Sequence, residues 1–185
     1  LVRKAGAIQP KRHPQALRYA HMDLATRSMA GLSVCHRVGW KDVQGAVDYK
    51  TGAVYQDQRV IVEYDFILTI VAGRAKPINF EKIQQFFIWL RERCGFRWGM
   101  ITADQYQSFM QLQMLESRGF PTGNLSLDRT KTPYYAWRAG FEEHRIVMFR
   151  QPWVVAEAEK LIDSAKCVDH PLEGDVTCLA GETEI

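Results

Sequence analysis

The hydrophobic pattern splits the chain into a strand-rich first part and a remainder in which helices and strands alternate. Leu17 to Ala25 reads as a strand bearing His21, Met22 and Asp23, and Ala30 to Gly39 as a second, joined to it by a short polar turn. A connection that short implies antiparallel pairing. Residues 40–58 are polar and contain glycine, which predicts a loop or a ragged edge strand. Arg59 to Ala72 is a long β-branched run and predicts a third strand. After a break at Pro77, Asn79 is placed to cap a helix whose Phe80, Ile83, Phe86, Phe87 and Leu90 share one face. Gly95 stands where a helix ends, and residues 96–102 follow as a short buried strand.

From there the pattern predicts a helix over 105–118 closed by Gly119, a short strand over 124–128 and a helix over 132–143. A strand over 145–149 follows, then a helix over 152–165 with proline in its first turn. Three successive strands followed by alternation define a mixed sheet in an α/β fold. Residues 1–16 carry Arg3, Lys4, Lys11 and Arg12 without apolar periodicity and read as a linker or tail; residues 17–185 read as one domain. Both ends suggest a piece excised from a longer protein.

Asp104 falls where the 96–102 strand gives way to the next helix. In open α/β sheets, ligands and chemistry collect at such strand ends. The plainer alternative is that Asp104 caps the helix.

Composition narrows the classes. The chain has 185 residues, 46% of them hydrophobic, enough for a real core. It has no apolar run of about 18 or more residues that would span a membrane, and its start lacks a signal-peptide pattern. Cys35, Cys94, Cys167 and Cys178 show no C-x-x-C spacing and read as reduced thiols. The formal net charge of +3 does not announce a nucleic-acid binder, so local basic clusters would have to supply such contacts. Arg129, Lys131, Arg138 and Arg145 form one such set. There is no phosphate-binding G-x-x-x-x-G-K-[ST] loop, no H-E-x-x-H and no G-x-S-x-G. His21, His36, His144 and His170 lack zinc-like spacing and read as structural or surface residues. Glu63 and Asp65 share a strand face and read as solvated acids; Asp128 reads as a turn residue. Trp89 and Trp98, and most of Tyr134, Tyr135 and Trp137, read as core.

Two-metal phosphodiester cleavage needs several carboxylates converging on ions about 3.5–4 Å apart, with oxygen ligands suited to hard cations. The candidates are Asp23, Asp104 and one acid from residues 166–176, where Asp169, Glu173 and Asp175 lie.

The element order resembles that of RNase H-like domains, in which the first strand lies centrally beside the strand after the first helix. Asp23 and Asp104 would then be neighbours. The sequence also resembles the nuclease domain of bacteriophage terminase large subunits. The likeness rests on His21-Met22-Asp23-Leu24-Ala25, on Ile101 to Ser108 with Leu115-Glu116-Ser117-Arg118-Gly119, on Ser126 to Thr130, and on Val168-Asp169-His170-Pro171. It implies an RNase H-like fold and endonuclease action on double-stranded concatemeric viral DNA during genome packaging. It further implies two Mg²⁺ or Mn²⁺ ions held by Asp23, Asp104 and Asp175, with Asp169 the substitute for the third. Its implied partners are an N-terminal ATPase domain of the same protein, a portal and a small terminase subunit, in the cytoplasm of an infected bacterium. The segment Glu173 to Cys178 is shorter than the family's pattern, and residues 26–29 lack the extra acid that the family often carries there. Other RNase H-like enzymes, such as resolvase or transposase cores, would use the same acids. A non-catalytic docking module is the reading outside enzymology.

Overall fold

A computed structural model of the chain describes residues 13–24, 29–73, 76–126, 130–149, 152–163 and 168–169. Three strands open the fold: β1 (Leu17–Asp23), β2 (Met29–Val47) and β3 (Val54–Val71). There follow α1 (Phe80–Glu92), β4 (Arg97–Ala103), α2 (Gln105–Glu116), β5 (Thr122–Asn124), α3 (Thr132–Glu142), β6 (Ile146–Val147), α4 (Pro152–Ala158), β7 (Ile162–Asp163) and β8 (Val168–Asp169). The main sheet runs β5-β4-β1-β2-β3-β6, and β7 and β8 form a separate antiparallel pair. β1, β2 and β3 are antiparallel in sequence, whereas β4 lies parallel to β1, β5 to β4 and β6 to β3. The fold is thus α/β with a six-stranded mixed sheet.

Strict alternation builds the core. Ala20, Met22 and Leu24 follow β1, Ala30, Leu32 and Val34 face them from β2, and Phe66 and Leu68 from β3. Ile83, Phe87 and Leu90 of α1 and Leu112 and Leu115 of α2 close over this face, with Phe96 and Phe120 at the margins. Asn79 caps α1 as its sequence predicts: its side chain accepts from the Lys82 backbone N–H at 3.3 Å. Gly95 follows α1 at φ +71°, where a side chain would be strained. The opposite face of the sheet is partly covered by α3, whose Trp137 donates a hydrogen bond to Tyr64.

Several expected features differ. Of the two readings of residues 40–58, the strand holds on either side of a turn at 48–53: β2 and β3 continue as a paired ribbon from Gly39↔Ile61 to Val47↔Val54. Cross-strand pairing, not burial, makes this ribbon, so the core pattern does not reveal it. β5 occupies Thr122–Asn124, earlier than 124–128, and α4 ends at Ala158, before two short paired strands rather than at 165. Trp89 is 46% exposed, stacked on Phe86, and Tyr135 is 47% exposed, so neither belongs to the core.

Candidate active site

Parallel strands that end together bring their following residues side by side. The β1–β4 ladder closes on Met22↔Ala103, so Asp23 and Asp104 are the next residue of each strand, on chains about 4.8 Å apart. Met22 and Ala103 are buried toward α1 and α2. Alternation therefore sends Tyr19, His21 and Asp23 from β1, and Met100 and Thr102 from β4, to the opposite face. Asp23 is exposed and Asp104 half-buried at the start of α2. Gly31 stands opposite Asp23 on β2 and adds no side chain beside it. Gly99 serves the same face differently: it is the extra residue of a bulge in β4, and a Cβ there would lie 2.9 Å from the Tyr19 ring.

His21 lies two positions below the two carboxylates on the same face, across from Thr102. The Thr102 hydroxyl donates to the Ala20 carbonyl at 3.1 Å, so its hydrogen is committed, and it accepts from His21 Nδ1 at 3.0 Å. That fixes the Nδ1–H tautomer and leaves the lone pair on Nε2. Burial pushes the imidazole below its ordinary value, and the nearby Asp23 and Asp104 carboxylates only partly oppose this. His21 is therefore neutral at pH 7. The sequence treats it as an isolated histidine; its spacing of two from Asp23, on one strand face, is the signal that places it in the site.

Asp175 lies outside the described residues, as does Asp128. Asp169 lies in β8, which pairs with β7 and not with the strands that carry Asp23 and Asp104. Two members of the basic set are engaged with other partners. Arg145 is buried at the far edge of the sheet, bonded to Glu143 and to the Val60 carbonyl, and Arg138 pairs with Glu142. Arg129 is outside the described residues.

Glu63 and Asp65 are not solvated acids. A bulge in β3 opposite Val34 and Cys35 lets Asp65 join Phe66 on the core-facing side. Asp65 there receives Arg18 Nε at 3.2 Å and His36 Nδ1 at 2.9 Å. Arg18 is fully buried, its guanidinium 4.0 Å from the Phe96 ring centroid and NH1 bonded to the Ala16 carbonyl. Burial, with Asp65 adding to it, pushes the Cys35 thiol up to about 11, so it stays protonated.

No helix among the described residues is long and apolar enough to cross a membrane. Comparison of the chain with protein-family models, with curated proteins and with solved structures finds no match.

Proposed function

We propose that this chain is an RNase H-like, metal-dependent endonuclease domain that cuts double-stranded DNA, of the kind found in terminase large subunits. The observation that carries this reading is the pair Asp23 and Asp104 at adjoining ends of central parallel strands, on a face that α1 and α2 leave open. The sheet supports it: β1 is central, antiparallel to β2 on one side and parallel to β4 on the other, as that architecture requires.

The donor set fits hard divalent cations, because both groups are carboxylates set at adjoining strand ends. Mg²⁺ or Mn²⁺ bound there would supply an activated water and stabilise the leaving 3′ oxygen. Asp23 and Asp104 would hold the ions, with Asp175 as third carboxylate and Asp169 as its substitute. Thr102 keeps the His21 ring in one orientation, with the Nε2 lone pair available to accept a proton. Partners of this reading are double-stranded DNA, an N-terminal ATPase domain, a portal and a small terminase subunit, in the cytoplasm of an infected bacterial host.

The test is plasmid nicking and linearisation with Mn²⁺ or Mg²⁺ by the parent and by Asp104→Asn. Cleavage lost in a folded Asp104→Asn protein supports the reading. Equal cleavage by both returns Asp104 to the role of a helix cap. Preference for branched over linear duplexes would move the assignment to a resolvase-type enzyme.

A further inference from the structure

At the other end of β1, about 16 Å from Asp23 by strand rise, lies a second cluster that the nuclease reading does not use. His13, just before β1, His36 of β2 and Glu63 of β3 each offer one ligand atom, and the three atoms lie within 4.8 Å of one another. β2–β3 pairing sets His36 directly opposite Glu63, and β1–β2 pairing sets it opposite Arg18. His13 Nε2 stands 3.7 Å from Glu63 Oε2, and the two imidazole rings are 4.8 Å apart at their centroids.

His36 is the informative member. It is 3% exposed, and its Nδ1 is held at 2.9 Å by Asp65. A carboxylate only accepts, so Nδ1 carries the hydrogen. Nε2 is buried and has no hydrogen-bond partner. A buried polar atom of this kind demands an explanation. A carboxylate that fixes one nitrogen while the other points at a metal is the arrangement that metal-ligating histidines adopt. The charges agree: Arg18 balances Asp65, which leaves Glu63 as the one formal negative charge among the ligands and their support.

We infer that His13, His36 through Nε2 and Glu63 form a Zn²⁺-type site, with Asp65 orienting His36 and a fourth position open to water. Two imidazoles and a carboxylate are a recognised zinc set. Ligand atoms around a tetrahedral zinc, with bonds of about 2.0–2.1 Å, stand about 3.4 Å apart. His13, outside the sheet and 40% exposed, is the ligand free to close that distance. The ion would fasten the segment before β1 to the β2–β3 pair. This inference is independent of the nuclease reading.

The test is Zn²⁺ binding to chelator-stripped protein, followed by competition with a chromophoric chelator. The variants are His13→Ala, Glu63→Gln and Asp104→Asn, with far-UV circular dichroism to verify folding. The expected result is one tight equivalent in the parent and in Asp104→Asn. His13→Ala and Glu63→Gln should each weaken it by at least the roughly 10–100-fold that losing an outer-shell partner costs. Absence of a tight equivalent in the parent overturns the site. So does parent-like binding in both His13→Ala and Glu63→Gln, or loss confined to Asp104→Asn.

Discussion

Replacing Asp65 with alanine removes the one carboxylate shared by two buried cationic or potentially cationic groups. Arg18 is fully buried, and its remaining contacts are the Ala16 carbonyl at 3.3 Å and the Phe96 ring; NH2 has no partner even with Asp65 in place. A cation over an aromatic face contributes about 0.5–2 kcal/mol, too little to offset an uncompensated buried guanidinium. Breaking a buried pair by deleting one partner costs about 3–5 kcal/mol, and that is the loss expected for Asp65→Ala. In a domain of this size it corresponds to a fall in Tm of about 6–20 °C. Removing both charges with Arg18→Met and Asp65→Leu should recover much of this, since apolar replacement of a buried pair is often neutral or better. Recovery stops short by about 1–3 kcal/mol, because His36 Nδ1 still lacks its acceptor. Urea denaturation in the presence of a chelator, on both single variants and the double, measures these terms without metal. A loss under about 1 kcal/mol for Asp65→Ala would mean that Arg18 reaches water in the native state and would refute the argument.

Phe87→Ala should cost about 3–5 kcal/mol, because Phe87 is fully buried against Trp98, whereas Trp89→Ala on the exposed side of α1 should cost under about 1.5 kcal/mol; equal losses in denaturant would contradict the assigned face. Asn79→Ala should lower stability by about 0.5–2 kcal/mol through loss of the α1 cap, read by thermal melting. His21 is held below its ordinary value by burial, so below roughly pH 6.5 the unfolded chain binds a proton that the native chain refuses. Its contribution is complete above that pH and declines as pH falls toward the lowered native value, by up to about 1.4 kcal/mol per unit. Melts across this range should show His21→Gln with a shallower slope than the parent, and identical slopes would count against a neutral buried His21.

The apolar rhythm carried most of the core. Met22, Val34, Phe87, Leu90 and Ile101 all lie where the pattern of strands and helices puts them, and they are buried. The β2–β3 ribbon was legible only as one of two alternatives, a loop or a ragged edge strand, because its residues pair with each other and have little core to face. The β3 bulge was not legible either: a single inserted residue changes which parity faces inward, so Asp65 came inside although its spacing from Glu63 suggested solvent. Asp23 and Asp104 could be read as a pair only by supposing a parallel β1–β4 contact, since 80 residues separate them and no local signal joins them. His13, His36 and Glu63 are likewise brought together by topology alone. One clue was present: Arg18 and His36 occupy core-parity positions in otherwise apolar strand patterns, and polar residues there announce a buried network.

The ribbon formed by the outer halves of β2 and β3 gives the molecule a long handle. From Gly31, beside Asp23, to Val47 the strand covers 17 residues, about 50 Å of contour. Two strands alone are marginal in water, so its base is tethered: Lys41 reaches the Glu143 carbonyl at 2.7 Å and Arg59 its carboxylate at 2.8 Å. At the tip, Asp48 accepts from the Lys50 N–H and the Thr51 hydroxyl in a self-contained turn, and Tyr49 is 98% exposed. An affinity tag or fluorophore inserted between Lys50 and Gly52 would therefore ride far from both the carboxylate pair and the histidine cluster. It could be used to immobilise the protein while leaving both clusters untouched.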